Sequence, residues 1–264
     1  MKRRLALAAG ALVAALSFTS CSSVDGADTV AEVNGVSLSR DRLATIAGDS
    51  SNGGAVREAL TTWIKVAAVS DDAASITNKD ELLAEGNRLV EAVLAEVGEA
   101  SRAEYEKGLD GRSFVCLGAI TLGTEVKGDA VVAEIATGMT FAEAAAKYST
   151  TATLAQSGGV VTDSNGASCL DPAAFDAAFP PLRAVLADAG AKVGTPVVVT
   201  DSSGDLLLLL RSFDDLSAGE QRVVAQAEIG AALNAQVESA DITVSPRMGK
   251  WDAALGRVVA LGDG

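Results

Sequence analysis

The sequence predicts an α+β fold, in which a helical part is followed by a part that mixes helices and strands. Three observations support this class. A segment of alternating apolar and polar residues begins at residue 29, amphipathic helical stripes cover 54–110, and strand-like and helix-like segments alternate from about residue 111. Helices packed beside an antiparallel sheet are the usual result of such an order of elements.

The first twenty residues have the pattern of an export signal. Three cations at positions 2–4 precede an uncharged segment of roughly 12 residues, shorter than the ~20 residues that a helix needs to cross a bilayer. Cys21 follows a Phe-Thr-Ser sequence that resembles a bacterial lipobox, although Phe18 stands where such boxes usually carry Leu. We therefore expect a signal peptide over 1–20 and a lipid-anchored tether over 21–28, beginning at a lipidated cysteine. Ordinary secretion with an unmodified cysteine is the alternative.

A β-hairpin and a helix are predicted directly after the tether. Residues 29–38 (TVAEVNGVSL) alternate apolar and polar side chains around Asn34-Gly35, the type of dipeptide that most strongly favours a two-residue hairpin turn. Ser39 is placed to cap a helix that reaches about Ala47.

Residues 54–110 are predicted to be helical. Asn78 and Glu81 form a capping-box pattern that starts a long helix ending near Ala100. Ser101 with Glu104 is expected to start a further short helix. The helix before them carries one apolar stripe, formed by Val56, Leu60, Trp63, Ile64 and Ala67.

From residue 111 to residue 213 the pattern predicts a compact α+β unit. Thr140 with Glu143 caps one of its helices, and Pro172 suits the first turn of another. Five consecutive leucines at 206–210 indicate a central strand covered on both faces. The expected elements are a strand over 114–122, helices over 129–137 and 141–148, a loop over 149–168, helices over 172–179 and 182–189, and a hairpin with strands over 196–200 and 206–211 joined by a turn at 201–204.

The last fifty residues predict a helix and a short strand. Ser217 with Glu220 caps a long helix that reaches about Ser239. A strand over 241–245 and a turn-like end over 246–251 follow it.

Composition excludes several classes of function. The chain has no histidine, which excludes Ser-His-Asp hydrolysis and histidine-ligated zinc. Its formal charge is −14, and −17 once the three cations of the signal peptide are removed, which argues against nucleic-acid binding. Acidic pairs lack the spacing of a calcium loop and no glycine-rich segment is placed as a phosphate loop, so we expect no metal and no cofactor.

The cysteine count agrees with export. If Cys21 carries lipid, Cys116 and Cys169 remain as a pair in an oxidising compartment, and we expect a disulfide between them. Two buried free thiols are the alternative. A C-x-x-C motif is absent, which argues against thiol–disulfide catalysis.

Several segments within 111–213 together resemble the parvulin family of prolyl isomerases. Residues 140–149 (TFAEAAAKYS), followed by Gly158-Gly159, are similar to the parvulin phrase F-x-E-x-A-x-x-Y-S and its Gly-Gly pair. Leu170-Asp171-Pro172 with two downstream phenylalanines resembles the helix that closes the parvulin proline pocket. Residues 195–210 resemble the hairpin that ends the family's fold.

The flanking segments widen the resemblance to SurA-type and PrsA-type foldases. Residues 30–43 (VAEVNGVSLSRDRL) are similar to the opening of such foldases, and 242–252 (ITVSPRMGKWD) to the closing strand and turn of SurA relatives. The resemblance implies a helical SurA-like N-terminal domain, completed by a C-terminal helix, with an inserted parvulin-like α+β domain. The domains it implies after the tether are a SurA-like N-terminal chaperone domain over 29–110, a parvulin-like domain over 111–213, and a C-terminal helix and strand over 214–264 that pack back on the N-terminal domain.

The departures from the family pattern concern the catalytic centre. Parvulins carry one histidine in the first strand and one in the last, and alignment places Ala119 and Leu206 at these positions. Val160 replaces the acidic residue that usually follows Gly-Gly, and Thr151 stands where Cys or Asp is common. We therefore expect no catalytic residue.

A substrate-binding surface is still implied by the resemblance. Its expected residues are Thr151, Leu170, Phe175 and Phe179. The two phenylalanines are one residue closer together than is usual in the family. Ordinary core packing is the alternative for the three apolar side chains.

The resemblance implies an exported lipoprotein chaperone or foldase on the outer face of the bacterial cytoplasmic membrane. Its expected partners are unfolded or extended secreted polypeptides, with weak or absent prolyl isomerase activity. It contacts the membrane through its lipid anchor only and binds no nucleic acid. The alternatives are an active parvulin-type isomerase that works by pocket shape alone, and a non-catalytic scaffold lipoprotein with one fixed partner.

Overall fold

The computed structural model describes residues 28–48, 50–111, 113–201 and 204–261. These residues mix helices with antiparallel strands, which confirms the α+β class. The predicted signal peptide, Cys21 and the tether up to residue 27 lie outside the described residues, as do two residues of the turn predicted at 201–204. Within the described ranges, every helix is too short or too polar to cross a membrane.

The helices and strands are numbered in chain order. The helices are α1 (Arg40–Ile46), α2 (Gly53–Val69), α3 (Lys79–Tyr105), α4 (Gly128–Ala136), α5 (Phe141–Tyr148), α6 (Ala152–Gln156), α7 (Pro172–Ala178), α8 (Leu182–Asp188), α9 (Ala218–Val224) and α10 (Gln226–Ser239). The strands are β1 (Thr29–Val33), β2 (Val36–Ser39), β3 (Val115–Thr121), β4 (Cys169–Leu170), β5 (Val197–Asp201), β6 (Gly204–Leu210), β7 (Ile242–Val244), β8 (Lys250–Asp252) and β9 (Arg257–Val259). Short 3₁₀ turns occur at Asp71–Ser75, Gly108–Asp110 and Phe213–Asp215.

The first sheet has the order β2-β1-β7 and joins the two ends of the described chain. Asn34 and Gly35 both have positive φ, 50° and 83°, as a two-residue hairpin turn of this kind requires. The same turn holds β7 in place, because the Asn34 N–H donates to the Asp241 carbonyl and the Asp241 N–H donates to Asn34 Oδ1, each at 2.9 Å. The predicted hairpin is confirmed, and its partner strand lies more than 200 residues away.

Helix α2 packs on this sheet and buries the predicted apolar stripe. Trp63 and Ile64 are fully buried. The core around them also takes in Val258 of β9, and the second tryptophan, Trp251, packs against it. The hairpin β8–β9 therefore belongs to the same core as α2 and β1.

The second sheet has the order β4-β3-β6-β5 and is antiparallel throughout. Leu207 lies in the core against α4 and α5, whereas Leu208 and Leu210 lie in the core on the opposite face. The five-leucine strand is thus covered on both faces, as its composition predicts. Cys116 and Cys169 oppose each other on β3 and β4 and form the expected disulfide.

A buried ion pair links the second sheet to α9. Arg211 donates to both carboxylate oxygens of Glu220, at 2.6 and 3.1 Å, and the two side chains are only 11% and 15% exposed. Ser168 Oγ donates to the same carboxylate at 2.6 Å, and the Ser217 N–H donates to it at 2.8 Å as part of the predicted capping box. Tyr105 at the end of α3 donates from its hydroxyl to the Arg211 carbonyl at 2.7 Å. Helical and sheet parts are therefore joined by a satisfied polar network.

Two predicted helix boundaries are wrong. No helix starts at Ser101, because α3 continues to Tyr105 and the buried Ser101 hydroxyl donates to the Val97 carbonyl one turn earlier. The long helix predicted after Ser217 is interrupted at Ala225, which separates α9 from α10. Val224 packs into the core beside the disulfide and Ile229 into the core with α3, so the chain turns between two cores.

Two other regions contain structure that the sequence did not predict. The loop expected over 149–168 includes α6, which is too short to show a helical period. The turn-like end over 246–251 leads into the hairpin β8–β9. Gly249 makes this possible: its φ is 130°, and a Cβ there would lie 2.2 Å from the Val259 carbonyl oxygen.

Candidate functional site

The face of the second sheet that carries Ala119 is the candidate site. Ala119 opposes Leu208, and Thr121 opposes Leu206, so these four side chains point to one face. The buried core on this face consists of Val115, Leu117, Ala119, Leu170, Phe175, Leu186, Leu208 and Leu210. The structure therefore brings most of the predicted site residues together.

Helix α7 places the predicted aromatic residues on this face. Asp171 caps the helix by accepting hydrogen bonds from the N–H groups of residues 173 and 174 at 2.9 Å, and Pro172 occupies the first turn. Phe175 is 1% exposed and its ring lies 5.5 Å from that of the half-buried Phe179. Arg183 of α8 lies over the Phe175 ring at 5.7 Å. Phe175 thus forms the floor of the face, and Phe179 forms part of its rim.

The positions aligned with the family histidines are apolar and lie on the same face. Ala119 is 6% exposed and Leu206 is half-buried. They are diagonal neighbours rather than a directly opposed pair, because Ala119 opposes Leu208. Methyl, methylene and phenyl groups surround them, so proton transfer has no donor or acceptor side chain in this cluster.

Thr151 lies at the edge of this face in a cluster of hydroxyl groups. Its Oγ1 is 2.8 Å from Thr121 Oγ1, and its N–H donates to the same oxygen at 3.1 Å. Ser149 and Thr150 also lie within 3.2 Å of Thr121 Oγ1. The exposed Thr151 is therefore held beside the floor of the site by local backbone and hydroxyl contacts.

The rim of the face is partly exposed and apolar. It includes Leu154, Val161, Phe179, Val199 and Leu206, each packed against the buried core without being buried. The sequence does not predict Leu154 and Val161 as site residues, because both lie in the segment expected to be a loop. Val199 could have been found from the period of two along β5, which is also an edge strand of its sheet.

The Gly-Gly pair of the parvulin-like phrase has a packing role. Gly158 and Gly159 have φ values of 67° and 83°, and a Cβ at Gly159 would lie 2.7 Å from Phe141 Cε1. The next residue, Val160, bridges to Gly118 of β3. The pair thus lets the chain pass closely over α5 and reach the sheet.

Carboxylates near the site act as structural acceptors. Asp205 of β6 accepts from the Gly128 N–H at 2.7 Å and from Thr200 Oγ1 at 2.8 Å, and the first of these hydrogen bonds is the main cause that lowers the pKa of Asp205. This contact fixes the start of α4 on the hairpin β5–β6. In the part of the chain that the structure describes, acidic and cysteine side chains form no group of three or more placed to bind a metal ion.

Comparison with models of known families gives no match, and comparison with curated proteins gives none either. Among solved structures, the similar chains include PrsA proteins, two of which are described as peptidylprolyl isomerases. PrsA from Bacillus subtilis is 14% identical over 76% of this chain and 87% of its own, with a TM-score of 0.30. The PrsA proteins of Bacillus cereus and Bacillus anthracis are 15% and 14% identical, cover 77% and 73% of this chain and 83% and 84% of their own, and have TM-scores of 0.29. The likeness is distant, and TM-scores of this size do not establish a common fold.

Proposed function

We propose that this chain is an exported, lipid-anchored foldase that holds extended segments of unfolded secreted polypeptides and has little or no prolyl isomerase activity. In this proposal Cys21 carries the lipid, and the protein lies on the outer face of the bacterial cytoplasmic membrane. The observation that carries the proposal is the apolar rim on the Ala119 face, beside the edge strand β5. Extended peptides bind such surfaces through apolar contacts and through backbone hydrogen bonds to a sheet edge.

The filled floor of the site is the reason for proposing weak catalysis. Prolyl isomerisation breaks no covalent bond, but its barrier is roughly 18–20 kcal/mol because rotation removes amide resonance. A site lowers this barrier when it encloses the proline and favours the twisted amide. Here Phe175 and Leu186 are 1% and 0% exposed and pack into the same buried core as Ala119. A proline ring would therefore contact only the rim.

Phe179→Ala is expected to weaken binding of an uncharged, proline-containing peptide about fivefold, because it removes part of the apolar area that the peptide covers. The measurement is NMR exchange spectroscopy and peptide line broadening with the purified protein lacking its predicted signal peptide. The control is Leu83→Ala, which removes an equally apolar side chain that is 51% exposed on α3. The control should bind like the wild type, and both variants should melt as folded proteins.

The same spectra separate the alternatives. The wild-type protein is expected to broaden the peptide signals while the cis–trans exchange rate stays within about twofold of the uncatalysed rate. Strong acceleration would show that the apolar face catalyses, in favour of the isomerase. Absence of binding by any unfolded peptide would contradict the foldase and favour a scaffold with one fixed partner.

A further inference from the structure

A second cleft, of about 700 Å³, lies between α2 and the hairpin β8–β9. Its floor is apolar and buried, formed by Val66, Val258 and Val259. The Val258 N–H donates to Thr61 Oγ1 at 3.0 Å, which fixes the outer edge of β9 against the helix. The cleft is far along the chain from the Ala119 face and belongs to the core of the first sheet.

Three cations line this cleft. Arg57 and Lys65 lie on one stripe of α2, with Thr61 between them, and Arg257 lies on β9. Within the described residues, none of the three cations forms an ion pair or a side-chain hydrogen bond, whereas Arg102, Arg183 and Arg211 are all paired with carboxylates.

The charge of the cleft contrasts with that of the whole protein. Glu58 is the one acidic residue among the side chains that line it. The chain as a whole carries 35 acidic against 21 basic residues. Three basic side chains without acidic partners in one cleft indicate that the complementary carboxylates come from a ligand.

We propose that this cleft binds acidic, extended polypeptide segments. The inference deepens the proposed function and rests on it for the view that the ligand is a client protein. Arg57 and Lys65 are eight residues apart on a helix, which places them about 12 Å apart along its axis. Carboxylates four residues apart on an extended chain are about 13 Å apart, so one segment can reach both cations.

The apolar parts of the cleft favour a polypeptide over a phospholipid headgroup. Val66, Val258 and the rim residue Leu255, which is 57% exposed, offer contacts to side chains between the carboxylates. A phosphatidylglycerol headgroup carries one phosphate and would engage a single point along this 12 Å stripe. Because the protein as a whole is strongly acidic, it does not attract an acidic ligand over long distances. Specificity therefore comes from the pairing of the ligand's carboxylates with the cations of the cleft.

The test compares the triple variant R57Q/K65Q/R257Q with the control K79Q/K192Q/R247Q, which has the same net charge. The control cations lie outside the cleft and form no ion pair with another described residue. The probe is a labelled 12-residue peptide with glutamate at alternate positions, and its matched partner carries glutamine instead. Binding is measured by fluorescence anisotropy at low and high salt, with circular dichroism and melting to verify the fold of each variant.

The wild type and the control variant are expected to bind the glutamate peptide at least about tenfold more tightly than the cleft variant does, and the difference should shrink at high salt. Equal affinities of the wild type and the cleft variant overturn the inference. So does equal affinity of the wild type for the glutamate and glutamine peptides.

Three further outcomes of these binding experiments distinguish this inference from the proposed function. If the uncharged proline peptide binds and the glutamate peptide does not, the foldase stands and the cleft inference fails. If only the glutamate peptide binds, and does so through the cleft, the cleft stands and the foldase fails. Cleft-dependent binding to phosphatidylglycerol vesicles without binding of the glutamate peptide overturns the inference in favour of a lipid headgroup.

Discussion

Replacing Cys116 and Cys169 together by alanine is expected to lower the free energy of unfolding by up to about 4 kcal/mol. The bridge closes a loop of 53 residues, and the chain-entropy model gives a stabilisation of this size for such a loop. Both cysteines are buried, at 1% and 7% exposed, and lie in the core that contains Tyr105 and Phe213.

Two spectroscopic probes localise the effect. Both tryptophans, Trp63 and Trp251, belong to the core of the first sheet, so tryptophan fluorescence reports on that core. Far-UV circular dichroism reports on the helices of both parts. We expect the unfolding transition seen by circular dichroism to occur at a lower urea concentration in the variant than in the wild type. The transition seen by tryptophan fluorescence should shift less. Both proteins also carry Cys21→Ser, which removes the remaining thiol. Unfolding transitions that are the same with and without the disulfide would contradict the prediction.

Glu220→Gln is expected to destabilise the protein by about 2–3 kcal/mol, because it leaves the nearly buried Arg211 guanidinium without its carboxylate. Burial raises the pKa of Glu220, but hydrogen bonds from Arg211, Ser168 and Ser217 outweigh it and lower the pKa to about 2. A carboxyl whose pKa is lower in the folded state stabilises the fold above its ordinary value of 4.5. That stabilisation is lost as the pH falls from 4.5 to about 2, so the variant should lose less stability than the wild type over this range.

The matched control for this variant is Glu143→Gln in α5. Glu143 closes a capping box with Thr140 of the same geometry as that between Glu220 and Ser217, but it is exposed and has no arginine partner. Loss of the control carboxylate should cost clearly less stability than loss of Glu220, because only one exposed capping contact is removed. Urea unfolding at pH 7 and at pH 3 measures both effects. Equal losses of unfolding free energy in the two variants would show that the stabilisation comes from the capping box and not from the pair with Arg211.

Local signals in the sequence predict much of the fold. Asn34-Gly35 and the capping box at Thr140 and Glu143 act through neighbouring backbone groups, so their effect can be recognised within a few residues. The run of five leucines is also a local signal. Its composition alone indicates that both faces of the strand are covered. These elements were predicted with boundaries within about one or two residues of those observed.

The candidate sites depend on contacts that the sequence does not reveal. Leu154 reaches the Ala119 face because the short helix α6 lies there, and five residues are too few to show a period. The eight-residue spacing of Arg57 and Lys65 is visible in the sequence, but Arg257 joins them only because β9 packs on α2. The binding surfaces therefore arise from tertiary pairing of distant segments rather than from local patterns.

Because β1 pairs with β7, the two sheets can form in a fixed order when the chain is delivered with its N-terminus first. Val33 opposes Ile242, so the first sheet lacks an outer strand until nearly all of the chain has appeared. The second sheet needs only residues 115–210, which are contiguous and contain both cysteines. Residues 115–210 can therefore fold first, while the open edge of β1 and the incomplete core around Trp63 require the last segment of the chain. A truncation between residues 211 and 241 would therefore leave a complete second sheet attached to a first sheet that lacks β7.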